Sequence, residues 1–99
     1  MSLSQPDKLK KLSGKQISAL RSVGQTTKPT VYIGKSGVTD TVVQSIEDGF
    51  NTQELLKIRV LEGSPEDKKE VAGIVSKKSG STVIQIIGNT ILIFRPRKS

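Results

Sequence analysis

The stretch Val31-Tyr32-Ile33-Gly34-Lys35-Ser36-Gly37-Val38 is a short apolar run cut off by a Gly-x-x-Gly turn, with a helix-forming segment directly behind it. A strand that hands over to a helix in this way implies a crossover to a parallel strand, and with crossover helices expected after each of the first two strands and a hairpin at the end, a mixed α/β architecture is expected. Two glycines three apart let the backbone approach a ligand, and Lys35 and Ser36 between them are presented as a charge and a hydroxyl. A helix N-terminus behind the turn would add unpaired N–H groups and a positive dipole, so a phosphate is the expected ligand. An ordinary tight turn has the same pattern, so the rest of the chain must decide.

Ahead of this stretch, Ser13-Gly14-Lys15-Gln16 reads as a Ser-x-x-Gln capping box, with Leu12 and Ile17 spaced as a hydrophobic staple. A first helix is expected over residues 14–23, with Ile17 and Leu20 facing the core and Gly24 as its stop. The first strand is expected over Thr30 to Ile33, with Val31 and Ile33 on one face and Tyr32 on the other. Thr39 or Asp40 caps a second helix whose Val42 or Val43, Ile46 and Phe50 form a core stripe. In the second strand, Leu55 to Leu61, Leu56, Ile58 and Val60 alternate with Lys57 and Arg59, whose charges are ordinary for an open sheet face. Ser64-Pro65-Glu66-Asp67 predicts the start of a third helix, capped by Ser64 and running to about Ser79, with Val71, Ile74 and Val75 buried and Gly80 as its stop. Thr82 to Ile87 and Thr90 to Arg95 are apolar strands joined through Gly88-Asn89 as a hairpin. The expected order is α-β-α-β-α-β-β, an α+β fold with a mixed four-stranded sheet and flanking helices.

Ninety-nine residues suit one domain. The chain has no cysteine and no histidine, which removes the commonest metal ligands and the usual general base near neutral pH. No apolar run approaches the roughly 18 residues of a membrane span. A soluble, cytoplasmic protein with no cofactor, no small-molecule substrate and no membrane partner is expected. Sixteen basic residues against nine acids give +7, unevenly spread. Residues 1–39 hold seven basic side chains and one acid, residues 40–71 four and eight, and residues 72–99 five and none. Such segregation suggests a cationic face built from both ends of the chain and a polyanion partner.

Gly34-Lys35-Ser36 imitates the end of a nucleotide-binding P-loop, but the glycine required five residues earlier is Pro29. Glu66, Asp67 and Glu70 are explained by the helix dipole rather than by acid–base chemistry. With 3% aromatic residues a base-stacking groove is not expected. What remains is a basic glycine turn resembling the loop with which KH domains clamp a sugar–phosphate backbone.

The resemblance reaches further. Gly34-Lys35-Ser36-Gly37-Val38-Thr39, Leu55-Leu56-Lys57-Ile58-Arg59-Val60 and Ile86-Ile87-Gly88-Asn89-Thr90-Ile91-Leu92-Ile93-Phe94-Arg95-Pro96 together resemble the CRM domain, in particular its stand-alone bacterial YhbY-like members. The likeness covers residues 12–96. It implies a non-enzymatic RNA-binding domain, similar in fold to the C-terminal domain of translation initiation factor three. It also implies a partner in large-subunit ribosomal RNA, or its precursor within the pre-ribosomal particle. Plant multidomain members are associated with organellar intron splicing. The positions carried over are Gly34, Lys35, Ser36 and Gly37. The charge argument adds Lys15, Arg21 and Lys28, together with Lys8, Lys10 and Lys11 in an arm over residues 1–11 that is expected to be flexible; residues 97–99 form a basic tail. The rival reading is a protein-interaction module on a ribosomal protein or assembly factor, with the charge serving solubility.

Overall fold

The computed structural model describes residues 12–96; the arm with Lys8, Lys10 and Lys11, and the tail over residues 97–99, lie outside the described residues. Helix α1 spans Gly14–Thr26. Its capping box forms as the sequence demands: the Gln16 amide donates to Ser13 Oγ at 3.1 Å and the Ser13 amide to Gln16 Oε1 at 2.8 Å. The helix does not stop at Gly24. The hydroxyls of Thr26 and Thr27 both donate to the Val23 carbonyl and close a further turn. Gly24 is buried instead because the helix lies directly on the sheet there, where an added Cβ would stand 2.5 Å from Leu92 Cδ2.

Strand β1 is Val31–Ile33, helix α2 Asp40–Phe50 and strand β2 Leu55–Val60. Thr39 is the cap of α2, accepting from the Val42 amide at 3.2 Å. Helix α3 spans Lys68–Ser79, starting later than Ser64-Pro65 suggested. Ser64 Oγ donates to the Glu66 carbonyl within a turn, and the cap is Asp67, which accepts from the Glu70 amide while Glu70 accepts from the Asp67 amide. A reciprocal pair satisfies two amides and outcompetes the lone serine. Asp67→Ala should therefore cost about 1 kcal/mol in a urea melt, with Ser64→Ala costing clearly less. Equal losses would show that Ser64 shares the capping role. The helix closes at Gly80 as expected, with φ +68, and Lys77 and Lys78 lie in its last turn, where positive charge faces the dipole.

Strands β3 (Thr82–Ile87) and β4 (Thr90–Phe94) form the hairpin, with Gly88 at φ +57 in its two-residue loop. The sheet order is β1-β2-β4-β3, with β1 parallel to β2 and the other two pairs antiparallel. Strand β3 thus runs in the direction of β2, but β4 lies between them. The interior place falls to β4 because its Ile91-Leu92-Ile93 run is apolar on both faces, and both faces are covered. Helices α2 and α3 pack on one face over Val31, Ile33, Leu56, Ile58, Ile91 and Ile93. Helix α1 covers part of the other, its Ile17 and Leu20 meeting Leu55, Ile84, Leu92 and Phe94. A bulge in β3 makes this possible: register shifts between Val83 and Gln85, so Ile84 turns toward α1 while Val83 and Ile86 both serve the α2–α3 side.

Candidate functional site

The Gly34–Gly37 turn lies at the C-terminal end of β1, closed by the Gly37 amide donating to the Gly34 carbonyl at 2.9 Å. Beside it is the β2–α3 connection, anchored where the Leu61 amide donates to the Ile33 carbonyl at 2.8 Å. Lys35 and Ser36 are exposed at the apex, as the spacing predicted. The two glycines, however, do different work. Gly37 is buried, sits at φ +70, and has Pro65 and Glu66 packed where its Cβ would be, so a side chain there would collide with Glu66 Oε1. Its glycine identity follows from backbone geometry and packing. Gly34 has a negative φ, and an added Cβ would meet only Leu61 Cδ1, at 3.9 Å. Nothing in the fold demands glycine at this position: an added methyl group would have room.

This asymmetry has a measurable result. Gly37→Ala should lose about 1–2 kcal/mol from the left-handed backbone alone, with the Glu66 collision adding to it. Gly34→Ala should melt at or slightly above the parent temperature, since it only restricts the unfolded chain. A large loss for Gly34→Ala would mean that this glycine, too, is structural.

The electrostatics around the turn are mixed. The helix behind it is not an open donor end, because Thr39 takes the Val42 amide and Asp40 lies in the first turn. Among the described residues Glu66 Oε1 is buried without a hydrogen-bond partner, behind Gly37. The positive potential at the apex therefore rests chiefly on Lys35. A neighbouring depression of about 450 Å3 has Glu62, Glu66 and Asp67 against Lys68 and Lys69, and its three acids do not extend a phosphate site.

Among the described residues the other expected cations, Lys15, Arg21 and Lys28, are exposed but not all gathered. Lys28 lies in the loop before β1, two residues from Thr30, whose amide donates to the Lys57 carbonyl. Lys15 and Arg21 are exposed on α1, which packs over the Leu55–Phe94 end of the sheet. The turn lies past the opposite end of β2, about 16 Å along the strand. Lys77 and Lys78 are on α3, on the other side of the sheet from α1, so they do not share a helical face with Lys15 and Arg21. Arg95 is taken up structurally: its guanidinium bonds both Glu47 oxygens at 2.9 and 3.0 Å and the Ser79 carbonyl at 2.8 Å, and stacks 4.6 Å from the centroid of the Phe50 ring. Sequence reasoning set Lys57 and Arg59 aside. Register brings Arg59 level with Tyr32 on the sheet face that α1 only partly covers, a juxtaposition no local pattern announces.

Among the described residues no group of His, Cys, Asp or Glu is placed to hold a metal ion, and no helix is long and apolar enough to cross a membrane. Comparison with known proteins gives a consistent result. The chain is 39% identical over 87 residues to the "Probable RNA-binding protein YqeI" of Bacillus subtilis, covering 88% of this chain and 91% of that one. It is 31% identical over 80 residues to the "CRM-domain containing factor CFM2, chloroplastic" of Arabidopsis thaliana, which is 81% of this chain but only 8% of that much longer protein. The solution structure of SAV1595 from Staphylococcus aureus superposes with a TM-score of 0.75 at 37% identity, covering 90% of this chain and 93% of the other. The profile of the CRS1 / YhbY (CRM) domain matches residues 12–95, and the chain belongs to that family.

Proposed function

We propose that this chain is an RNA-binding protein that docks on structured precursor RNA of the large ribosomal subunit. The turn holds phosphate through Lys35, Ser36 and the open backbone at Gly34, and the exposed cations Lys15, Arg21 and Lys28 supply attraction at longer range. The observation that carries this reading is the exposed Lys35-Ser36 apex beside a glycine the fold does not require. It is supported by the excess of basic residues and by relatives named as RNA-binding proteins. The ribosomal target rests on the likeness to stand-alone bacterial family members.

Affinity built from phosphate neutralisation must fall with salt. A footprint of about four to six phosphates gives a slope of log K against log salt of roughly −3 to −5. Titrating the full chain with large-subunit ribosomal RNA fragments between low and moderate salt measures it. Deleting residues 1–11 should make the slope shallower by up to about two or three units if Lys8, Lys10 and Lys11 follow the backbone. Crosslinking in cells, followed by sequencing of the attached RNA, should enrich large-subunit precursor sequences. A slope near zero would exclude backbone-dominated binding and leave the basic residues a role in solubility.

A further inference from the structure

Across the end of the sheet nearest the turn, one row of side chains spans all four strands on the α1 side. Tyr32 in β1 is level with Arg59 in β2, Arg59 with Thr90 in β4, and Thr90 with Ile87 in β3. Helix α1 covers the far end of this face, over Leu55, Leu92 and Phe94, and leaves the row open. Tyr32 is 53% exposed although its neighbours Val31 and Ile33 are 6% and 0% exposed, and Ile87 is 62% exposed. Strand spacing makes the row roughly 14 Å long. An exposed aromatic ring and an exposed isoleucine in register with a cation are not explained by packing: among the described residues neither Tyr32 nor Arg59 has a side-chain hydrogen bond or ion pair. The strand residues on this face include Lys57 and Arg59 and no acid.

Resting on the RNA-binding reading, we propose that Tyr32, with Arg59 beside it, is a stacking site for one unpaired nucleobase of the bound RNA. The chemistry is that of a nucleotide. The ring offers a π-face to a base, and the guanidinium offers charge to the phosphate or a second plane to stack on. Placement supports it as well. Tyr32 precedes Gly34 by two residues, and Tyr32 to Lys35 spans at most about 10 Å of chain, so a strand with a phosphate held at the turn brings an adjacent base over the ring. This gives one stacked base beside a backbone clamp, and with it tolerance of base identity together with a preference for unpaired over duplex RNA at this point.

The chain supplies its own reporter, because Tyr32 is its only tyrosine and it has no tryptophan. Tyrosine emission of the full chain is followed while a short single-stranded oligoadenylate is added, and separately inorganic polyphosphate, a polyanion without bases. Oligoadenylate should quench the emission and polyphosphate should bind without quenching it. Tyr32→Ala should weaken oligoadenylate binding about tenfold with the salt slope unchanged, and Tyr32→Phe should keep the affinity, since stacking needs the ring and not the hydroxyl. The ring is half in solvent, so both variants should melt near the parent temperature. Salt-dependent RNA binding with no quenching, equal quenching by both polyanions, or an unaffected Tyr32→Ala would overturn the stacking site while leaving the RNA-binding reading in place; the row would then suit a protein partner. Failure of the chain to bind any RNA would remove both.

Discussion

Phe50→Ala is expected to bring this domain close to unfolding. The ring is 3% exposed at the C-terminal end of α2, inside the cluster that includes Ile46, Leu56, Ile58 and Val75. Truncating a buried phenylalanine to alanine leaves a cavity and costs about 3–5 kcal/mol. Here the ring face also carries the Arg95 guanidinium, which is tied at the same time to Glu47 on α2 and to the Ser79 carbonyl on α3. Losing the ring therefore removes both core volume and the floor on which that cation sits. For a domain of this size each kcal/mol shifts the melting temperature by about 4–8 °C, so a drop on the order of 12–40 °C is expected by far-UV circular dichroism. Phe50→Leu, which keeps most of the volume but no π-face, should lose much less. A folded Phe50→Ala protein of near-normal stability that nevertheless failed to bind RNA would instead make Phe50 an RNA-binding residue, contrary to its burial.

The largest effect on binding should come from replacing Lys35 and Ser36 together by Asp. Both side chains are exposed, so the core and the two glycines keep their surroundings and the melting temperature should barely move. The apex then presents two carboxylates in front of Glu66, which already sits behind Gly37. A phosphate that had accepted a charge-assisted hydrogen bond would meet only acids. Loss of such a bond corresponds to about 10–100-fold in affinity, and the salt slope should become shallower by about one unit for each phosphate no longer neutralised. Gly34→Ala is the companion test, since the fold leaves room for the methyl group and only an approaching ligand would feel it. Undiminished affinity in both folded variants would show that the turn is not the clamp.

Much of this architecture is legible in local chemistry. The Ser13 capping box, the αL glycine closing α3, the two-residue hairpin loop and the alternation in β2 each rest on interactions within a few residues, which a sequence carries in full. Boundaries set by competition are not so carried. Ser64 and Asp67 are both competent caps, and Asp67 prevails because Glu70 reciprocates. Gly24 has the look of a helix stop, but the nearness of Leu92, 68 residues away in sequence, is what makes it glycine.

The order of elements, most of the apolar positions that had to be buried and the Gly34–Gly37 turn with Lys35 and Ser36 at its apex could be read from the chain, because periodicity, capping and turn formation are short-range; on α3, however, Ala72 rather than Ile74 is buried with Val71 and Val75. Which cations share a surface could not be read that way. Sheet order and register place Arg59 beside Tyr32, layer assignment separates Lys77 and Lys78 from Lys15 and Arg21, and the α2–α3 corner ties Arg95 to Glu47. Tertiary packing also divided the glycine pair, committing Gly37 to its place against Glu66 and leaving Gly34 open. A single cause underlies each of these outcomes: the interactions join segments far apart in the chain, and their geometry is fixed by the packing of the whole sheet rather than by any residue's neighbours in sequence.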